Sequence, residues 1–392
     1  MKALFIHDHP FIKNRETGAL YTSGNLDSKL WERYLKHFSS VTVIGRCKVE
    51  DDTSRYNLAE KDSVTFNLFD NVRGGADYFR KRKEIEKRLI DEIQKHDAVI
   101  MRFPATISVF AADYCIKNNV PYVAEVVGCS WDANWNYGGI SPKLIAPYSY
   151  IKMKKAVKKA SAAIFVTENF LQNRYPTDAT LTANASNVIV QEVDPKALEV
   201  RLKKINSQEA DGAIRLGVIG NINVRYKGYD VLLQAVSDLP ADLLKRITID
   251  FVGGGDPSYL TSLIQKFRLE DRTIVRGKLK SGQEIFSYLD SLDLYVHPSK
   301  QEGLPRVVIE AMSRACPILA SSVAGTPELL ASEFLHKPGD AKKLSMDIVK
   351  IVQDVELQKR MAEMNYEKSK SYVFSVLEGR REDFFAKVKA SL

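Results

Sequence analysis

Short runs of apolar, largely β-branched residues recur along the chain, and between them apolar positions return at helical spacing. In the first half the runs cover residues 3–7, 41–44, 98–102, 122–127, 162–167 and 188–191. A second series covers 216–219, 247–252, 273–276, 292–296 and 318–321, with a short segment near Phe334. These runs are mainly apolar, as expected of strands buried on both faces of a parallel sheet. Strand–helix alternation of this kind predicts an α/β protein with two doubly wound sheets. The least hydrophobic connection, residues 194–212, is rich in Lys, Asn, Ser, Gln and Glu and separates the two series. The expected domains are 1–195 and 196–371, followed by a final segment, 372–392.

Composition sets bounds on this picture. At 392 residues the chain is too long for one ordinary core and suits two domains. With 45% apolar and 27% charged residues it is globular rather than disordered. No run approaches the ~18 apolar residues of a spanning helix. The first apolar run is ended by Asp8, His9 and Pro10, so it predicts a first strand rather than a leader peptide. Cys47, Cys115, Cys129 and Cys316 are scattered without metal-ligand spacing, as in a reduced, cytoplasmic protein.

The strongest chemical signal follows run 292–296. The stretch Tyr295-Val-His-Pro-Ser-Lys-Gln-Glu302-Gly-Leu-Pro-Arg-Val-Val-Ile-Glu310-Ala-Met312 carries two acids. Glu302 falls in the loop at a strand's carboxyl end, and Pro305 suits the first turn of the helix that holds Glu310. Ligands of open α/β sheets bind at that edge. An acid on a helix packed against a sheet is costly to bury without hydrogen bonds, which the hydroxyls of a ribose or hexose would supply. Further on, Gly325-Thr326-Pro327-Glu328 predicts a helix start with Thr326 as N-cap. Free N–H groups there would suit a phosphate. A hydroxyl-binding acid pair beside an anion-binding helix start describes a nucleotide-sugar site.

Pro298-Ser299, Glu302-Gly303, Glu310-Ala311-Met312, Pro317 and Gly325-Thr-Pro-Glu328 keep their order and spacing over one short stretch. In this the chain resembles the retaining family-4 glycosyltransferases of the GT-B fold, of the bacterial polysaccharide-biosynthesis type. The resemblance implies two Rossmann-like domains facing a central cleft. The amino-terminal domain would take the acceptor and the carboxyl-terminal one the nucleotide sugar, with the last helix crossing back to the first domain. It assigns Glu310 to the nucleotide ribose and Glu302 to the donor hexose. Gly220-Asn221 to Lys227-Gly228-Tyr-Asp230 matches the family's diphosphate loop. There Lys227 stands for the family's lysine, and Asn221 occupies the position of its arginine. Arg225 is the residue of that loop that would supply the missing charge. Gly220, Gly303 and Leu304 belong to the donor loops, and Lys278-Leu279 to the segment that lines the nucleobase through backbone groups. A Gly253-Gly-Gly255 run is most simply a tight turn. No Asp-x-Asp stands at a strand end, so no essential metal and no cofactor beyond the donor is expected.

The amino-terminal half gives softer signals. Tyr21-Thr-Ser-Gly24-Asn25 precedes a helix over residues 26–38, and its small residues permit close approach of a ligand or serve as a plain capped turn. Glu125-Val-Val-Gly-Cys129-Ser-Trp131-Asp132-Ala-Asn-Trp135-Asn136-Tyr-Gly138 resembles a run in a subset of bacterial polysaccharide glycosyltransferases. Glu125, Trp131 and Asp132 are its acceptor or sugar candidates, because indole faces take the apolar side of a sugar. Trp131 and Trp135, four apart, could equally form one packed face. His7 and His9 end the first strand and are a further candidate pair.

The net charge is +8. Lys152, Lys154, Lys155, Lys158 and Lys159 alternate with Ile151, Met153 and Val157, a pattern of solvated faces and also of helices on anionic lipid. No module or aromatic-basic pattern indicates nucleic acid. The expected activity is retaining transfer of a hexose from a nucleoside diphosphate to a saccharide or lipid-linked acceptor in bacterial surface-polysaccharide assembly. The expected location is cytoplasmic, peripheral to the inner face of the cell membrane. A nucleotide-sugar epimerase and a non-catalytic sugar-nucleotide-binding partner are the rivals.

Overall fold

The computed structural model describes all residues except 25, 71, 73–74, 137–139 and 210, and omits the side chains of 75, 76, 79 and 141. Asn25, Tyr137 and Gly138, named above, therefore lie outside the described residues. The chain divides into two compact units, Met1–Ala185 with Glu378–Leu392, and Ser186–Leu377. The division falls after Ala185, earlier than residue 195. The last helix, Phe374–Ser391, runs from the second unit into the first. Within the first unit its Glu378 pairs with Arg33 at 2.8 Å, and its Phe385 packs edge-on against Tyr34.

The first unit is built on β1 (Lys2–Asn14), β2 (Leu20–Thr22), β3 (Ser40–Glu50), β4 (Asn57–Leu58), β5 (Val64–Asp70), β6 (Ala98–Phe103), β7 (Val123–Val126), β8 (Ala162–Phe165) and β9 (Leu181–Asn184). The order β5-β3-β1-β6-β7-β8-β9 is parallel, and β2 and β4 add antiparallel pairs beside the far end of β1. β1 continues well past His7 because a register shift between Ile6 and Pro10 absorbs Pro10 without loss of the strand. Residues 188–191 form no strand: Val188 and Val190 are buried in an extended segment, and β9 lies earlier. The helix after β2 is Ser28–Leu35, capped by Asp27, whose carboxylate accepts from the Leu30 N–H.

The second unit holds β10 (Ile214–Ile219), β11 (Ile247–Val252), β12 (Thr273–Val275), β13 (Leu294–His297), β14 (Ile318–Ser321) and β15 (Leu335–His336). Its order, β12-β11-β10-β13-β14-β15, is parallel throughout. The strand order reverses between β10 and β13, and ligands of doubly wound sheets gather at the carboxyl ends of strands flanking such a point. Leu216, Val218, Ile249, Phe251, Leu294 and Val296 bury the sheet's faces under the flanking helices. That packing fixes both strands, so the loops that leave them start from rigid anchors.

Candidate active site

The loops after β10 and β13 are clasped together at the reversal point. Gly228 sits at φ +73°, and a Cβ there would lie 2.0 Å from the Pro298 carbonyl oxygen. Only glycine lets the Lys227-Gly228 turn rest on that backbone. The Lys300 N–H donates to the Tyr226 carbonyl at 2.6 Å, and the Lys300 ammonium reaches Asp230 at 2.7 Å. Gly253, after β11, has the same logic: a Cβ would stand 1.7 Å from the Gly220 carbonyl oxygen. The first glycine of the 253–255 run is thus a site of close backbone approach as well as a turn.

This clasp brings Lys227 against Glu302. The ammonium donates to Oε1 of Glu302 at 2.8 Å, and Nε2 of His297 meets the same oxygen at 2.9 Å. His297 is buried at the end of β13, and its Nδ1 lies 3.2 Å from the Tyr295 hydroxyl. With the Tyr295 hydroxyl donating, Nδ1 accepts and Nε2 carries the proton toward Glu302. Burial raises the Glu302 carboxyl, but Lys227 and His297 outweigh it and hold the group well below the usual carboxylate range. Glu302 is therefore a fixed anion. Sequence reasoning missed His297, whose only signal was its place as the last residue of an apolar strand.

Glu310 contrasts with it. The residue lies on the helix Arg306–Ser313, half-buried, and its carboxylate has no hydrogen-bond partner among the described residues. Burial pushes its carboxyl up to about 7, with Arg306 opposing the shift. A half-buried carboxylate without a partner is costly and is suited to accept from a ligand. Pro305 stands one position outside the helix, as its cap.

The remaining donor candidates divide. Asn221 serves its own loop: its side chain accepts from the Asn223 N–H at 3.0 Å, and its carbonyl accepts from Tyr229. Gly220 lies under the Lys227 side chain, where a Cβ would come within 3.2 Å of Cδ. Arg225 is exposed, with its guanidinium 5.0 Å from the centre of the Tyr259 ring, and it does not join the Lys227–Glu302 pair. The Gly303 carbonyl accepts from the Gly325 N–H, and Leu304 is buried. Lys278 and Leu279 follow β12, where the Gly277 carbonyl accepts from Gly253 and Arg276 reaches Asp250 at 3.0 Å. Asp250, fully buried and also paired with Arg215, anchors this segment and was not singled out in the sequence.

The expected helix start at Thr326 is corrected. Residues Thr326–Glu328 form a single 3₁₀ turn, and no side chain caps it. The N–H groups of Gly325, Thr326, Glu328 and Leu329 are all taken by backbone carbonyls, and Pro327 has none. No free donors remain at these positions for a phosphate. Thr326 is fully buried with its hydroxyl unpartnered, so it belongs to the packing under the loop.

In the first unit Glu125 is also corrected. It lies within β7, 6% exposed, accepts from the Tyr34 hydroxyl at 2.7 Å and has Arg102 at 3.7 Å. This places it in the packing beneath the helix Ser28–Leu35, with its carboxylate already engaged. Trp131 and Trp135 stack on each other with ring centres 5.4 Å apart on the helix Ser130–Trp135, and Trp135 remains 44% exposed. Asp132 pairs with Arg174 at 3.4 Å, whose Nε also meets the Cys129 sulfur. Gly24 is half-exposed with the His9 ring beside it. Burial, Arg102 and Arg46 push His9 down to about 4, and burial with Arg102 also lowers His7. Both imidazoles are neutral.

Known proteins place this geometry. Residues 188–368 match the family described as Glycosyl transferases group 1. The chain is similar to protein CapJ of Staphylococcus aureus, 33% identical over 374 residues, 95% of this chain and 91% of CapJ. In structure it resembles Anabaena Alr3699/HepE in complex with UDP-glucose, with a TM-score of 0.67, 18% identity and full coverage of both chains. It also resembles WaaG, a glycosyltransferase involved in lipopolysaccharide biosynthesis, with a TM-score of 0.63 and 16% identity over 99% of each chain. These likenesses carry the two-domain GT-B fold, and with the CapJ match the chain belongs to the group 1 glycosyl transferases.

Proposed function

We propose that this chain is a retaining, metal-independent hexosyltransferase that draws on a nucleoside-diphosphate sugar and serves bacterial surface-polysaccharide assembly. The observation that carries the reading is the Lys227–Glu302–His297 cluster at the sheet's reversal point, with the unpartnered Glu310 on the next helix. The donor diphosphate would take the Lys227 ammonium, the ribose hydroxyls Glu310, and the hexose would lie beside Glu302. As the bond from C1 to the phosphate oxygen breaks, the leaving diphosphate gains charge, which a preorganised cation stabilises. Glu302, held ionised by two partners, is too weak a base to take the acceptor's proton. That favours transfer on one face, in which the acceptor oxygen bonds to C1 while its proton passes to the departing phosphate oxygen.

The UDP-glucose in the HepE structure supports a uridine nucleotide sugar as donor, and the WaaG likeness supports an acceptor in surface-polysaccharide assembly, saccharide or lipid-linked. A lipid-linked acceptor would hold the enzyme at the inner face of the cell membrane. Proton NMR of freshly formed product from a nucleotide sugar and a saccharide acceptor, with EDTA present, tests this. A product with the donor's anomeric configuration supports the reading. Inversion, loss of activity with EDTA, or an epimerised donor without acceptor rejects it.

A further inference from the structure

The helix Ser141–Lys158 is apolar on two opposite sides. One side packs into the first unit through Ala146, Met153, Ala156 and Val157, each at most 2% exposed. The lysine-rich stretch therefore does not present Met153 and Val157 outward, as its sequence suggested. The other side carries Ile140, Leu144, Tyr148 and Ile151, exposed by 78, 75, 57 and 65%. Spacings of four, four and three place these on one stripe, opposite the buried face. Isolated exposed apolar residues need no explanation, but a continuous stripe marks an interaction surface.

Charge names its partner. The helix holds five lysines and no acid. Lys152 is matched by Asp113 at 2.7 Å and Lys158 reaches Asp178 at 4.0 Å, a carboxylate it shares with Lys159 just past the helix, whereas Lys143, Lys154 and Lys155 have no carboxylate among the described residues. Lys155 and Lys158 continue the stripe beyond Ile151, so the same face turns from apolar to basic along its length. Trp135, 44% exposed, lies under the Lys143 ammonium. Apolar side chains flanked by single-sign lysines, with an indole beside them, suit the interface of an anionic bilayer.

We infer that this face docks the protein on anionic membrane, with Ile140, Leu144, Tyr148 and Ile151 entering the headgroup–acyl boundary and Lys143, Lys154 and Lys155 meeting lipid phosphates. The surface stands on its own geometry, while its purpose rests on the lipid-linked acceptor proposed above.

The test is sedimentation of the full chain with phosphatidylcholine vesicles, with and without phosphatidylglycerol. Ile140→Ser, Leu144→Ser and Ile151→Ser are combined in one variant, and Lys143→Gln, Lys154→Gln and Lys155→Gln in another. All six side chains are exposed, so melting temperature and nucleotide binding should match wild type. Wild type should bind the anionic vesicles. The lysine variant should bind on the order of a hundredfold more weakly, from about 1 kcal/mol per basic side chain. The stripe variant should lose the binding that survives high salt. Wild type remaining in the supernatant at low salt overturns the inference, as does a stripe variant that binds like wild type. A wild-type dimer that ignores vesicles and becomes monomeric in the stripe variant would assign the face to a second copy, and also overturns it. Transfer to a soluble saccharide, assayed without vesicles, separates the two proposals. Turnover without vesicle binding removes only the membrane face, and vesicle binding without turnover removes only the transferase reading.

Discussion

The Lys227 ammonium and the His297 imidazole meet one and the same oxygen of Glu302, at 2.8 and 2.9 Å. The first oxygen is held from both sides, and the second has no hydrogen-bond partner among the described residues. The Lys227 charge is thus neutralised within the site, and under the proposed function an arriving diphosphate would compete with Glu302 for the lysine. Removing either partner of so buried a pair strands the other charge.

Lys227→Ala should lower turnover by on the order of a hundredfold or more, the usual cost of losing a preorganised group that meets transition-state charge. Combined with Glu302→Gln, the loss should be far from additive, because the two side chains share one interaction. Initial rates for the two single variants and the double variant measure this. Strict additivity would mean that the pair does not act as a unit.

Arg225→Ala should leave turnover nearly unchanged, since the guanidinium lies over Tyr259 rather than at the carboxylate pair. A loss matching that of Lys227→Ala in the same rate assay would show that Arg225 swings into the site when donor binds.

His297→Phe should lower kcat with little change in nucleotide affinity, and His297→Gln should recover part of it, because an amide can donate to Glu302 as Nε2 does. Calorimetric titration alongside kinetics separates the two quantities. Equal losses in both variants, with a matching fall in melting temperature, would mean that the imidazole only fills space.

Glu310 links pH to both stability and binding. Its folded-state pKa of about 7 lies above that of an unfolded glutamate, so the stability it contributes is full below about 4.3 and is lost as pH rises through 7. Glu310→Gln should therefore raise the melting temperature at pH 8 and leave it nearly unchanged at pH 4. The same substitution should weaken nucleotide binding, since a hydrogen bond to a charged group contributes about 1.5–3 kcal/mol. In wild type, affinity should rise between pH 6 and 8, with proton release on binding. Pairing calorimetry in two buffers of different ionisation enthalpy with thermal melts checks both signs.

The second domain was legible because its strands are apolar on both faces. Residues 247–252 and 318–321 stood out as mainly apolar runs and are β11 and β14. β5 was missed because Val64–Asp70 alternates with polar residues at a half-exposed edge. Residues 188–191 misled because burial alone, without a pairing neighbour, yields the same apolar pattern as a strand. The acids at 302 and 310 could be found from spacing, but their opposite electrostatics could not. Those depend on Lys227 and His297 arriving from other positions, through a glycine turn whose need is visible only against Pro298. The helix Ser141–Lys158 hid its outer stripe for a related reason: apolar residues on two sides blur the period that would mark either.

The central claim is that Lys227, Glu302 and Glu310 form a nucleotide-sugar site, and thermal unfolding against a panel of nucleoside-diphosphate sugars tests it most directly. A ligand at one hundred times its dissociation constant stabilises by about 2.7 kcal/mol. The account predicts such a shift with at least one sugar nucleotide in wild type, lost in Lys227→Ala and reduced in Glu310→Ala. No shift with any member of the panel, or the same shift in all three proteins, would contradict it.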